Sequence, residues 1–75
     1  MAETPDYVTI TIDKPKSQAL ETIPSTELAE MGIEPLMGDA NQLFCLRNSE
    51  IGNEDIKKRL AEVLPELEIR VQSGI

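Results

Sequence analysis

IEPLMGDANQLFCLR, residues 33–47, decides how this chain is laid out, because it holds two extended runs joined by a turn. Ile33 to Met37 is short and apolar and contains Pro35, which donates nothing to a strand ladder. Such a run belongs at a sheet edge. Gly38, Asp39, Ala40 and Asn41 read as the turn. In the QLFCLR run that follows, Leu43, Phe44, Cys45 and Leu46 are consecutive, which predicts a central strand covered on both faces. Cys45 is then a small core residue.

Upstream, YVTITID alternates from Tyr7 to Asp13, with Val8, Ile10 and Ile12 on one face and polar groups on the other. That is a half-buried strand, and Lys14, Pro15 and Lys16 stop it. Between it and the hairpin lies SQALETIPSTELAEMG. Ala19, Leu20 and Ile23 stand at helical spacing after Ser17, but Pro24 breaks or restarts the helix, so helix and strand both stay open for residues 17–23. After Pro24, Ser25 is expected to cap, Glu27 suits a first turn, and Gly32 stands where a left-handed C-terminal residue is needed. Ile33 should fold back on Leu28.

Downstream, Asn53 is expected to cap a helix with Glu54 and Asp55 in its first turn. Ile56, Leu60, Val63 and Leu64 form its apolar stripe, and Pro65 ends it. ELEIRVQ alternates again, with Leu67, Ile69 and Val71 inward. The order is strand, broken helix, short strand, strand, helix, strand. That predicts an α+β fold, a small two-layer sandwich with ferredoxin-like β-α-β-β-α-β order. Residues 1–5 read as a disordered N-terminus and residues 6–73 as a single α+β domain. An apolar outer face on the LFCL strand suggests a cover, either a dimer partner or the N-terminal segment.

Seventy-five residues at 40% hydrophobic content suffice for one core and no more. With Tyr7 and Phe44 as the aromatics, aliphatic side chains must build that core. One cysteine and no histidine exclude an internal disulfide, a zinc cluster, and Cys-His or Ser-His nucleophilic systems. The four glycines are isolated and form no phosphate-cradling loop. Asp39, Asn41 and Glu50 sit at calcium-loop spacing, but Leu43 and Phe44 occupy positions such a loop gives to a ligand and a glycine. No catalytic residue, cofactor or metal is therefore expected, and the chain reads as not an enzyme. An acidic, polar start and no 18-residue apolar window point to a soluble cytoplasmic protein, complete from Met1.

Fourteen acids against seven bases set the net charge at −7. Such a chain disfavours nucleic acid and anionic membranes and favours a protein partner with a basic surface. A homodimer is compatible with it. Between Lys16 and Arg47 there is no base, while Glu21, Glu27, Glu30, Glu34 and Asp39 are all acids. These five are the candidate partner-binding residues. Lys57, Lys58 and Arg59 spread around a helix and read as its solvated flank.

TIPSTELAEMGIEPLMGD, residues 22–39, about a quarter of the chain, resembles the swapped-hairpin transcription regulators and related antitoxins. Thr22, Ile23 and Pro24 match the family's T-I-P, Met31 stands for its leucine, Gly32 and Ile33 match G-I, and Pro35 its next proline. Gly38 and Asp39 match G-D after two extra residues, whereas Ala19 and Leu20 stand where its Gly-Arg would fall. The resemblance implies, as the alternative, a swapped-hairpin β-barrel dimer with an added C-terminal helix and strand, acting as a DNA-binding regulator or antitoxin. The charge pattern instead puts first a small noncatalytic interaction or regulatory module docking on a basic partner. A DNA-mimic inhibitor of a nucleic-acid enzyme is a third reading of the same acids.

Overall fold

Alternation in the first strand sets the sheet. In the computed structural model, which describes residues 6–14 and 17–74, β1 (Asp6–Ile12) buries Val8, Ile10 and Ile12 completely. Burial of each such side chain contributes about 1.5 to 3 kcal/mol relative to exposure. The chain then forms α1 (Ala19–Thr22), α2 (Ser25–Glu30), β2 (Ile33–Gly38), β3 (Gln42–Arg47), α3 (Asn53–Val63) and β4 (Ile69–Ser73). The reading of residues 1–5, and the Pro15–Lys16 part of the strand stop, lie outside the described residues.

The four strands make one antiparallel sheet in the order β2-β3-β1-β4. β1 lies in the interior of the sheet, paired with β3 and β4 of its own chain. Residues 17–23, open between helix and strand in the sequence, supply α1, and Pro24 separates it from α2. Pro24 has an extended ψ of 128°, so the helix stops and restarts around it.

One core joins the layers. Val8, Ile10, Ile12, Ile33, Leu43, Cys45 and Ile69 from the sheet pack with Ala19, Ile23, Leu28, Met31, Ile56 and Leu60. Ile51, Leu64, Leu67 and Val71 pack against its rim. Leu67 precedes β4, and its N–H donates to the Leu64 carbonyl at 3.1 Å in the turn around Pro65.

Several sequence expectations change in detail. Ser25 and Asn53 are the first residues inside their helices; Pro24 and Gly52 hold the cap positions, and neither makes a side-chain cap bond. The Asn53 side chain is engaged elsewhere: its Oδ1 accepts from Arg47 Nη1 at 2.7 Å and its Nδ2 donates to Ser73 Oγ at 2.9 Å. β3 is central as expected, but only its inner face is buried. Leu43 and Cys45 are inaccessible, whereas Phe44 and Leu46 are half-buried on the side away from the helices.

Gly32 behaves as its position demands. Its φ of +74° is the left-handed turn that ends α2 and starts β2. Its carbonyl accepts from the Asn48 N–H at 2.7 Å, and Ser49 Oγ donates to the neighbouring Met31 carbonyl at 2.7 Å. The turn is thereby tied to the far end of β3.

Candidate functional site

β2 is an edge strand, and the features that single it out come from both sequence and packing. Pro35 lacks an N–H, and the β2–β3 register slips by one residue between Pro35 and Met37. The bulge puts both Leu36 and Met37 at the surface, 49% and 61% exposed, where one of an alternating pair would otherwise be buried. Leu20 of α1, 47% exposed, stands beside the end of the strand: a Cβ built on Gly38 would lie 3.0 Å from the Leu20 Cβ. These are the exposed large hydrophobic residues among the described residues, and they flank one strand half.

The five sequence-predicted acids divide around this edge. Glu21 on α1 and Glu34 on β2 are exposed and make no ion pair or side-chain hydrogen bond with any described residue. Asp39, just beyond β2, is exposed and accepts the Ala40 N–H at 2.8 Å, which tightens the hairpin turn. Glu27 and Glu30 are engaged within the chain. Arg59 Nε donates to Glu27 Oε2 at 2.8 Å, and Arg59 Nη2 lies 3.4 Å from Glu30 Oε1. The hydrogen bond to Glu27 and its charge raise the Arg59 pKa above its ordinary value. Arg59 therefore ties α2 to α3, a role the run Lys57, Lys58, Arg59 did not reveal, since both partners lie far away in the chain.

The other half of the edge faces a groove. Ala29 of α2, Gly32, Ile33 and Pro35 form its apolar wall, with Ser25 and Thr26 at the rim, and its volume is about 590 Å³. The sequence carried no signal for it, because it exists only where α2 crosses beside the free side of β2.

At the end of the sheet where Ile33 pairs with Arg47, the chemistry on β3 is structural. The Arg47 side chain is 11% exposed. Its Nε donates to Asp6 Oδ2 at 2.6 Å, while its Nη1 donates to the Ile51 carbonyl at 3.0 Å and to Asn53 Oδ1 at 2.7 Å. A shallow hollow of about 510 Å³ lies over this network, bordered by Glu50, Glu54 and Asp55. Its only buried cation is spent on internal partners, and the surrounding acids repel anions.

Cys45 is fully buried, and burial pushes its thiol up to about 12. Such a thiol is neither a nucleophile nor a ready metal ligand at neutral pH. Among the described residues, no group of three or more His, Cys, Asp or Glu side chains is placed to hold a metal ion, and no helix is long and apolar enough to cross a membrane. No known protein family, curated protein or solved structure matches the chain.

Proposed function

We propose that this chain is a noncatalytic interaction module that docks on a basic protein surface through the β2 edge. The observation that carries the reading is the coincidence at that edge of Leu20, Leu36 and Met37 with the uncommitted acids Glu21 and Glu34 and with Asp39. Apolar side chains supply contact area, and unpaired carboxylates around them steer a cationic partner and raise its association rate more than its affinity. Glu27 and Glu30, bound to Arg59, contribute to the field but are not free to bond a partner. The strand order β2-β3-β1-β4, antiparallel throughout, supports reading the α+β fold as ferredoxin-like, in which β2 is an outer strand open to strand addition.

The experiment is association kinetics with a basic partner recovered from the native host, comparing the wild type with the triple variant Glu21→Gln, Glu34→Gln, Asp39→Asn. The expected result is a steep fall of the association rate with added salt for the wild type and a shallow one for the variant. Equal rates for the two proteins at low salt would remove the acids from recognition.

A further inference from the structure

The geometry points to the occupant of the N-terminal half of the β2 edge: an extended peptide segment of a partner, with the pattern apolar, Lys or Arg, apolar, added to the sheet as a fifth strand. The inference rests on the docking reading and makes its ligand specific.

The ladder decides which backbone groups are free. The Asn48 N–H donates to the Gly32 carbonyl, which places Ile33 opposite Arg47 and Pro35 opposite Cys45 in pairs that share no hydrogen bond. The backbone groups of Glu34 are turned toward β3. By that alternation those of Ile33 and Pro35 point away from β3: the N–H and carbonyl of Ile33, a residue only 3% exposed, and the carbonyl of the half-buried Pro35. Pro35 withholds the fourth bond. An added strand can therefore make three backbone hydrogen bonds here, enough to set its register.

Side-chain direction then decides the ligand's chemistry. Residues paired across strands lie on the same face. A partner residue opposite buried Ile33, and another opposite half-buried Pro35, would point to the helix side, into the apolar groove against Ala29. The residue between them would lie on the open face beside Glu34, whose carboxylate is exposed and unpaired with any described residue. A cation there gains its counterion. A second copy of this chain fits less well, because two edges with free acids and a net charge of −7 on each chain would meet.

The test titrates 15N-labelled protein with the peptide Ac-Lys-Val-Lys-Val-Lys-Val-NH2 and follows amide shifts. Expected are shifts concentrated at Ala29, Gly32, Ile33 and Glu34, with none from the Glu-Val analogue. Ala29→Met, which fills the groove from an exposed helical position, should weaken binding about tenfold, and Glu34→Gln about threefold. Shifts centred on α3 or on the open sheet face, or an affinity indifferent to Ala29→Met, overturn the inference. So do concentration-dependent shifts at Ile33 without peptide, which assign the edge to a second copy. Binding of the Lys-Val peptide lost in the triple variant but kept in Ala29→Met leaves the docking reading standing and removes the strand. Peptide binding that ignores salt removes the electrostatic docking and leaves the groove.

Discussion

Replacing Gly32 by alanine tests the argument that one left-handed residue joins α2 to the sheet edge. Two costs are separable. At φ +74° an L-residue is disfavoured by about 1 to 2 kcal/mol. Independently, the new Cβ would lie 2.6 Å from the Ser49 Cβ and 2.7 Å from its Oγ, closer than real contacts allow. Ser49 cannot withdraw freely, because its Oγ is bonded to the Met31 carbonyl and its neighbour Asn48 is bonded to Gly32 itself. Losing the Ser49 hydrogen bond costs about 0.5 to 1.5 kcal/mol, and local overpacking about 1 to 3 kcal/mol. Gly32→Ala should therefore destabilise by about 3 to 5 kcal/mol, against a total of about 4 to 11 kcal/mol for a chain of this length. Urea unfolding followed by far-ultraviolet circular dichroism reads this as a lower midpoint at unchanged slope. In a Ser49→Gly background the collision partner is gone, and the same substitution should cost only the left-handed part, about 1 to 2 kcal/mol. A cost under about 0.5 kcal/mol for Gly32→Ala, or an equal cost in both backgrounds, would refute the reasoning.

Arg47→Met keeps the apolar stem but removes every hydrogen bond of a guanidinium that is 11% exposed, and should cost about 2 to 4 kcal/mol in the same melts. Asp6→Asn alters only the pair whose acid is 51% exposed, so its cost should stay under about 1 kcal/mol. For Cys45, burial raises the folded-state pKa from 9.0 to about 12, so the unfolded chain loses the thiol proton first. This contribution to stability is complete below pH 9 and is lost as pH rises toward 12, with a slope of up to about 1.4 kcal/mol per pH unit. Cys45→Ala should show a shallower alkaline fall than the wild type. At pH 8 the native thiol should react with a thiol reagent only as fast as the chain opens.

Local patterns carried most of the fold. The inward set Val8, Ile10 and Ile12, the stripe of Ile56 and Leu60, the break at Pro24 and the edge character of Ile33 to Met37 all depend on chemistry within a few residues, and all appear in the structure. Strict alternation does not hold at Thr9, which is buried as well, its hydroxyl donating to the distant Gly74 carbonyl at 2.6 Å. The capping assignments to Ser25 and Asn53 depended on a choice of one residue. For Asn53 that choice is tied to a distant partner, since its amide is engaged with Arg47 and Ser73.

The run Leu43 to Leu46 shows the limit from the other side. Four consecutive apolar residues state that both faces of a strand are hydrophobic, but not that both are covered; Phe44 and Leu46 remain half-buried because no element of the described chain lies over them. The candidate site was legible as a charge pattern and an edge strand. Which acids are free was not, because Arg59 selects Glu27 and Glu30 from more than two dozen residues away.

What the sequence determined by itself is the class of object: one small acidic α+β chain with an aliphatic core, no histidine chemistry and a proline-marked edge strand. These follow from composition and from periods of two and 3.6 residues, which are local properties. Only the tertiary structure decided that α2 crosses beside the free side of β2 to make a groove, and that a bulge exposes Leu36 and Met37 together. It also decided that Glu21 and Glu34 are left without counterions among the described residues while Glu27 and Glu30 are not. Each of these depends on how residues distant in the chain are brought together, and pairing across space is set by packing of the whole core rather than by any one segment.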